Sequence, residues 1–296
     1  MMHMDGVIVV DKPAGMTSHD VVSRMRRLAN TKKIGHLGTL DPSATGVLPL
    51  VIGRATRLAQ FFTRNDKEYE GVIRFGQATT TYDADGELAG EPVAAAITRE
   101  QLEPLVASFR GSFQQMPPPV SAKKIAGTPA YKLARQNKPV VLQPVEVVVF
   151  AFEILSIEGC DARVRVHCSA GTYVRSIAHD LGQKLGAGAH LVSLRRTASG
   201  AFGISQAHTL ERLAEFAKDG DLVQALIPAS ELLPEFPAET VDSTTANFIR
   251  QGRDFRTSPF RTPSASRYVK AISEDGQLVA IGEARLPNVY HPILVL

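Results

Sequence analysis

The amino-acid sequence predicts an α+β fold, because segments with strand periodicity and segments with helix periodicity follow one another in irregular order. Residues 69–76, "YEGVIRFG", and residues 162–168, "ARVRVHC", place apolar side chains at alternate positions, as half-buried strands do. A later segment has an apolar side chain at every fourth position, as on one face of a helix, namely Tyr173, Ile177, Leu181 and Leu185. A doubly wound parallel sheet needs strands and helices that alternate regularly, and we therefore do not expect one.

The first predicted elements lie close together near the start of the chain. "GVIVVD" predicts a short buried strand, and Ser18 is placed to cap the helix that follows it. The apolar face of that helix is Val21, Val22, Met25 and Leu28. Next, "GVLPLVIG" predicts a strand and "RATRLAQFFTR" a helix, and a capping box of Thr98 and Gln101 predicts another helix over "LEPLVASF".

Two segments interrupt this pattern and suggest how the chain is divided. Residues 113–145 are basic and rich in proline, which predicts a loop or flap with a short helix around "AYKLARQ". "LLPEFPAETVDS", near residue 235, predicts a linker. The residues after it predict a small β-rich module with a hairpin at Asp275 and Gly276. We therefore expect a large domain over residues 1–235 and a small one over residues 236–296.

Charge is segregated along the chain although the net charge is only +3. Residues 104–145 and residues 162–179 contain no Asp or Glu, whereas acidic residues gather in 209–242. A face rich in Lys and Arg neutralises phosphates and releases counterions, so the pattern favours a nucleic-acid partner over solvated basic loops.

Composition and motifs argue against several classes of protein. The apolar runs are shorter than the ~20 residues that span a bilayer, and no signal-peptide pattern is present. Cys160 and Cys168 are the only cysteines, which indicates a reducing compartment, and we expect a cytoplasmic protein. The sequence has no P-loop, HExxH or CxxC motif, and its histidines lack metal-ligand spacing. We expect no metal, no cofactor and no membrane.

Asp41 stands out because it is the only acidic residue between Asp20 and Asp66. It lies in a loop rich in Gly, Pro and Thr, in a stretch whose Lys and Arg residues should keep its pKa below that of a free Asp. An ionised carboxylate on such a loop can serve as a nucleophile or as a base. The alternative is an ordinary Asp-Pro turn, in which the side chain accepts a local backbone hydrogen bond.

Four blocks of the sequence closely resemble the TruB family of tRNA pseudouridine synthases. They are "VDKPAGMTSHDVV", "GHLGTLDPSATGVLPL", "KEYEGVIRFGQATTTYDADG" and "CSAGTYVRSIAHDLG" with the later "AHLVSLRRT". The resemblance runs from about residue 6 to 204 and is weaker afterwards. It implies the pseudouridine synthase fold, a mixed and largely antiparallel sheet with flanking helices and loops, followed by a PUA-like β-barrel module. It also implies isomerisation of a T-loop uridine, at position 55 of most elongator tRNAs.

The resemblance implies roles for individual residues. Asp41 corresponds to the catalytic aspartate, Arg175 to the arginine that pairs with it, and Tyr69 to the tyrosine that stacks on the target base. Of the binding residues, His36 is associated with the flipped RNA and Leu194 with the uracil pocket.

Further binding residues are expected next to these. Tyr173, beside Arg175, is expected to contact substrate, and Lys12 to support the catalytic loop. Residues 113–145 correspond to an insertion that closes over the T-loop. Its expected RNA contacts are Lys123, Lys124, Lys132 and Arg135.

The chemistry implied by the resemblance breaks the N1–C1′ bond, turns the uracil and joins C5 to C1′. The carboxylate either adds to the sugar or removes a proton from C2′, and the sequence does not choose between these routes. Two other functions stay open: a non-catalytic RNA-binding or chaperone protein, and a guide-dependent synthase. The moderate length favours a stand-alone enzyme that binds the T-arm of tRNA as a monomer, without an obligatory protein partner.

Overall fold

A computed structural model describes residues 4–94, 96–119, 124–125, 128–129, 142–258 and 266–296. Strands and helices follow one another irregularly in it, and the predicted α+β class is confirmed. The helices are α1 (Ser18–Leu28), α2 (Arg99–Ala107), α3 (Val174–Leu185), α4 (Leu210–Asp219) and α5 (Ser243–Arg250). Shorter 3-10 segments cover Gly53–Phe62, Ile204–Gln206 and Leu222–Ala225.

The larger sheet contains ten strands and forms the centre of the protein. Its strands are β1 (Gly6–Lys12), β2 (Ile34–His36), β3 (Thr45–Ile52), β4 (Lys67–Phe75), β7 (Gly111–Gln115), β10 (Val145–Glu158), β11 (Asp161–Cys168), β12 (Ala189–Ser199), β13 (Phe202–Gly203) and β14 (Leu226–Pro228). They run in the order β14-β1-β3-β12-β4-β11-β10-β7, with β2 paired to β3 and β13 to β12. β3 and β12 pair in parallel, at Arg195–Thr45 and Arg196–Gly46, whereas β4 pairs antiparallel with both of its neighbours.

Both faces of this sheet are covered near β1 and β3. Ile8 and Val10 point to the core that holds α1, α2, α3 and α4. Val7 and Val9 point to a second core, which contains Leu58 of the 3-10 segment and residues close to the C-terminus. Continuous apolar sequence in β1 follows from this two-sided burial.

Two predicted helix starts and one predicted helix type need correction. The N-cap of α1 is Thr17, which forms a capping box with Asp20, while Ser18 is the first helical residue. Ser18 Oγ instead exchanges hydrogen bonds with the backbone of Leu40, 3.1 Å to its oxygen and 2.9 Å to its nitrogen. Tyr173 is the extended N-cap position of α3 rather than a helical residue, and residues 53–62 form a 3-10 segment instead of an α-helix. The capping box predicted at Thr98 and Gln101 is confirmed.

A second sheet of five strands lies in the C-terminal part of the chain. It consists of β15 (Ala238–Val241), β16 (Phe255–Arg256), β17 (Tyr268–Ser273), β18 (Leu278–Leu286) and β19 (Val289–Val295), in the order β15-β17-β18-β19-β16. The predicted hairpin at Asp275 and Gly276 joins β17 to β18. The linker prediction is wrong in part, because its residues 238–241 form β15 and Leu232 and Leu233 are buried.

The remaining strands are short. β5 (Ala78–Thr79) pairs with β6 (Leu88–Ala89), and β8 (Lys124–Ile125) pairs with β9 (Thr128–Pro129). β8 and β9 lie within the segment predicted as a flap, and the helix expected around residues 130–136 falls outside the described residues. Among the helices in the described part of the chain, none has the length and apolar character needed to span a bilayer.

Candidate active site

Asp41 lies in the loop that joins β2 to β3. The side chain of Lys12 donates hydrogen bonds to the backbone of this loop. The Lys12 side chain is fully buried at the end of β1. Its Nζ donates to the carbonyl oxygens of Pro13 at 2.9 Å, Pro42 at 3.0 Å and Ala44 at 2.6 Å. Burial lowers the pKa of Lys12 to about 8, with Asp41 acting in the opposite direction. Two of the three acceptors, Pro42 and Ala44, belong to the backbone on the C-terminal side of Asp41, and their hydrogen bonds fix it, as expected for a residue that supports the loop.

Arg196, on β12, supports the same loop from the other side. Its buried guanidinium donates to the carbonyl oxygens of Gly38 at 3.0 Å, Thr39 at 3.4 Å and Val47 at 2.7 Å. The parallel pairing places Gly46 against the backbone of Arg196, where an added Cβ would lie 2.2 Å from the Arg196 oxygen. Gly46 also has a φ of +98°, so this position requires glycine on both counts.

Arg175, in the first turn of α3, forms an ion pair with Asp41. Its Nε lies 2.9 Å from Oδ2 of Asp41, and its Nη2 donates to Oδ1 at 3.2 Å. The arginine side chain is 6% exposed and that of Asp41 is 39% exposed. The pair therefore has a buried cation and a carboxylate that reaches open space. Arg175 is not one of the apolar residues predicted for one face of this helix, and its side chain is buried all the same.

Asp83 is a second carboxylate on the same guanidinium. Its Oδ2 accepts from Nη1 of Arg175 at 3.0 Å, and the backbone oxygen of Thr81 accepts from the same nitrogen at 3.2 Å. Asp83 is nearly buried and also accepts from Thr81 Oγ1 and from the backbone N–H of Asp85. Arg175 thus lies between two carboxylates, and one of them, Asp41, faces outward.

The pKa of Asp41 is raised above that of an ordinary Asp, mainly because the surrounding protein removes much of its hydration, even though part of the side chain faces the cavity. The Arg175 guanidinium lowers this pKa, and the negative charge of Asp83 raises it again. The sequence predicted a depressed pKa from the surrounding Lys and Arg residues. That prediction is wrong, because burial disfavours the ionised form more than the cations favour it.

A cavity of about 560 Å³ opens over this ion pair. Five of the predicted site residues line it together, namely Asp41, Tyr69, Tyr173, Arg175 and Leu194. They come from separate elements of the fold: the β2–β3 loop, β4, the N-terminus of α3 and β12. Burial raises the pKa of the Tyr69 hydroxyl above the ordinary value of ~10, at which a tyrosine is already neutral near pH 7. The cavity therefore combines a carboxylate, a buried guanidinium and an aromatic wall.

Other predicted residues lie elsewhere. His36, on β2, pairs with Leu50 and is not among the residues that line the cavity. Burial lowers the pKa of its imidazole, with Arg196 acting in the same direction. Lys123, Lys132 and Arg135 lie outside the described residues, and of Lys124 only the backbone is described.

Sequence reasoning did not single out three charged residues at this site. Asp83 sits in the quoted block "QATTTYDADG", and Arg196 is the second arginine of "SLRRT". Lys67 lines the cavity with its amine against the backbone oxygen of Asn65, and burial lowers its pKa. Within the described ranges, no three His, Cys, Asp or Glu side chains come together as a metal site.

Comparison with known proteins gives two family models that together match most of the chain. The model for "TruB family pseudouridylate synthase (N terminal domain)" matches residues 26–174, and that for "tRNA pseudouridylate synthase B C-terminal domain" matches residues 175–233. A curated tRNA pseudouridine synthase B from Solibacter usitatus is 60% identical over 293 residues, which cover 99% of this chain and 100% of the relative. One of the same name from Stutzerimonas stutzeri is 43% identical over 95% of this chain and 92% of its own length.

Solved structures of similar fold cover the whole chain. The crystal structure of a Cbf5-Nop10-Gar1 complex matches with a TM-score of 0.71 and 29% identity, over 97% of this chain and 80% of that chain. The structure of an H/ACA RNP bound to a substrate RNA containing 2′-deoxyuridine matches with a TM-score of 0.72 and 26% identity, over 100% of this chain and 85% of that chain. The likeness therefore includes the C-terminal sheet as well as the larger one.

Proposed function

The chain belongs to the TruB family of pseudouridylate synthases, and we propose that it isomerises a uridine of tRNA to pseudouridine. The observation that carries the proposal is the position of Asp41. Its carboxylate is held by Arg175 on the wall of a cavity that Tyr69 and Leu194 also line. A cavity of about 560 Å³ lies in the range of about 300–1,000 Å³ that is usual for small-molecule sites, so it has room for an extruded base.

The reaction moves the uracil from one attachment to another. The N1–C1′ bond breaks, the base turns, a C5–C1′ bond forms, the C5 proton leaves and N1 takes up a proton. Asp41, when ionised, either adds to the sugar or removes the C2′ proton, and both routes need its charge. Arg175 keeps that charge available by charge-assisted contacts to both carboxylate oxygens. We assign the ring of Tyr69 to stacking on the flipped base and Leu194 to the apolar wall of the uracil site.

The target nucleotide must leave its RNA stack before it can enter the cavity. We propose that it is uridine 55 in the T-loop, and that the basic segment 113–145 contacts the T-arm. In this proposal residues 1–235 form the catalytic domain, and residues 236–296 form a PUA-like RNA-binding module. We further propose that the protein acts as a cytoplasmic monomer without a guide RNA, and that His36 contacts the flipped RNA.

The test is release of tritium from a tRNA transcript labelled at C5 of uridine, with purified protein and no other RNA or protein. We expect release to be stoichiometric with one uridine, and pseudouridine to be found at position 55 by sequencing of the product. Asp41→Asn should bind the same tRNA and release no tritium, because it keeps the volume of the side chain and removes its charge. Asp219→Asn, at the exposed end of α4, is the matched control.

The alternatives give different results in this assay. A non-catalytic RNA-binding protein would bind tRNA and release nothing, whereas a guide-dependent enzyme would release tritium only after a guide RNA is added. Either result would overturn the proposal. An Asp41→Asn protein whose single-turnover rate lay within about tenfold of wild type, or about 1.4 kcal/mol of barrier, would remove Asp41 from the catalytic role.

A further inference from the structure

Tyr82 and His179 form the closest stacked ring pair near the site. Their ring centroids are 3.8 Å apart and their planes differ by 13°. Tyr82 immediately precedes Asp83 in the chain, and His179 follows Arg175 by four residues, which is one turn of α3. The stack therefore joins the same loop and the same helix that the Asp83–Arg175 ion pair joins.

The loop is attached to α3 at three successive residues. The Thr81 oxygen and the Asp83 carboxylate both accept from Nη1 of Arg175, and the ring of Tyr82 lies on His179. On its other side the loop is tied to β12, since the N–H of Leu191 donates to the oxygen of Tyr82 at 3.0 Å. The loop backbone therefore cannot move away from α3 without also separating the two rings.

The backbone of Tyr82 adopts a conformation that its side chain does not favour. Its φ is +67°, in the left-handed region, which glycine adopts readily and in which a tyrosine is strained. Contacts around the residue must therefore hold it there. The stacked ring is one such contact, and the hydrogen bonds of its backbone to Leu191 and to Thr79 are the others.

We propose that Tyr82 and His179 are positioning residues, whose stack fixes the loop of Asp83 to α3 and thereby holds Arg175 against Asp41. Neither residue lines the cavity, so neither is assigned a contact with the base. Arg175 approaches Asp41 through Nε and Nη2 while Nη1 is occupied by the loop. A loop that moved away would leave the guanidinium free to rotate, and the orientation of both nitrogens toward Asp41 would be lost.

The variants separate the ring from the backbone. Tyr82→Gly removes the ring and suits the positive φ, so it removes the strain as well. Tyr82→Phe keeps the ring, His179→Ala removes its partner, and His179→Phe restores a stack without an ionisable group. Gln183→Ala, at an exposed position of the same helix, is the control.

The first readout rests on the proposed function and uses single-turnover tritium release at saturating tRNA. We expect Tyr82→Gly and His179→Ala to be slower than wild type by about tenfold or more, with the Kd for tRNA unchanged, because small displacements of catalytic groups cost rate. Tyr82→Phe, His179→Phe and Gln183→Ala should react at nearly the wild-type rate. The double variant of Tyr82→Gly and His179→Ala should be no slower than either single variant.

The second readout needs no activity, so a failure of the proposed function does not affect it. Titration of the Asp41 carboxyl carbon by NMR reports how well Arg175 faces it, with Asp41→Asn used for assignment. The pKa should rise in Tyr82→Gly and in His179→Ala, because a weaker contact with Arg175 raises it more than the withdrawal of Asp83 lowers it, and should stay as in wild type in the Phe variants. The charged groups acting on Asp41, which are Arg175, Asp83, Lys12 and Asp85, are unchanged in all of these proteins.

Two results would overturn the inference. One is a wild-type rate and an unchanged Asp41 pKa in His179→Ala, even with a lowered Tm, which would mean that the stack only stabilises the fold. The other is a loss in Tyr82→Phe as large as that in Tyr82→Gly, which would assign the effect to the hydroxyl. If Tyr82→Gly does not fold, the comparison of His179→Ala with His179→Phe decides the matter.

Discussion

Lys12 donates a hydrogen bond of 3.0 Å to the backbone oxygen of Pro42, the residue that follows Asp41. The contact joins the end of β1 to the loop of Asp41 across thirty positions of sequence. A buried ammonium is ordinarily costly, and this one is stabilised because three carbonyl oxygens surround it. Its function in the protein is therefore to hold backbone, and it lies behind the loop instead of in the cavity.

We predict that Lys12→Met destabilises the protein by about 3 kcal/mol and slows the reaction, because it leaves buried carbonyl oxygens without a donor. The free energy of unfolding is measured by urea denaturation, and the rate by single-turnover tritium release. Lys218→Met serves as a control, since this lysine is exposed at the end of α4, outside the loop. A variant as stable and as fast as wild type would mean that the three contacts contribute nothing.

Our second prediction concerns the pH dependence of the rate. In the proposed mechanism Asp41 must be ionised to react, so the single-turnover rate should fall as the pH falls through its pKa. Burial raises that pKa, and the fall should therefore begin at a higher pH than for an exposed Asp, whose pKa is ~3.9.

Asp83→Asn tests the cause of this shift. Because Asp83 raises the pKa of Asp41, its neutralisation should move the acid limb of the pH profile to lower pH. The amide oxygen of Asn can still accept from Arg175, so the guanidinium should keep its place. Circular dichroism at each pH separates titration from unfolding, and an acid limb that does not move would show that Asp83 has no electrostatic effect on Asp41.

A third prediction separates Arg175 from arginines that only bind phosphate. Lysine carries a point charge and cannot face the two carboxylates of Asp41 and Asp83 as the planar guanidinium does. Arg175→Lys should lower the single-turnover rate at saturating tRNA by at least ~100-fold, or about 3 kcal/mol of barrier, with Kd changed little. Normal turnover once the enzyme is saturated would exclude Arg175 from the active site.

The fourth prediction concerns the basic segment. Replacing Lys123, Lys124, Lys132 and Arg135 by Gln should weaken tRNA binding and flatten its dependence on salt. Each lost phosphate contact lowers the slope of log K against log salt by ~0.9 for a duplex. Binding is measured by filter retention over a series of salt concentrations, and an unchanged slope would place these side chains away from phosphate.

The sequence was most informative where a motif or a periodicity is local. The strand alternation around Tyr69 and the four-residue repeat of α3 gave the correct elements, and the blocks around Asp41 and Arg175 gave residues that line one cavity. Helix starts were less certain, because Thr17 and Ser18 are both good caps and the choice depends on which oxygen reaches the N3 amide.

Contacts between distant segments could not be predicted in this way. Arg196 looks like any surface cation of a basic sequence until β12 pairs with β3 and brings the guanidinium under the loop of Asp41. The contact of Asp83 with Arg175 likewise exists only because the loop of Asp83 packs against α3, which the local sequence does not show. The pKa of Asp41 was predicted with the wrong sign for the same reason, since neighbours in sequence report charge but not burial.

The parallel pairing of β3 with β12 has a consequence for how the protein is made. Val47 and Arg196 are 149 positions apart, so one of the two supports of the catalytic loop is absent until synthesis has passed Arg196. Contacts at such separation form slowly, because the intervening chain must first be ordered. On the ribosome, Asp41 is synthesised early, and the residues up to Arg196 must follow before this contact can form. The support that Arg196 gives to the loop of Asp41 therefore forms only after β12 has been synthesised and has paired with β3.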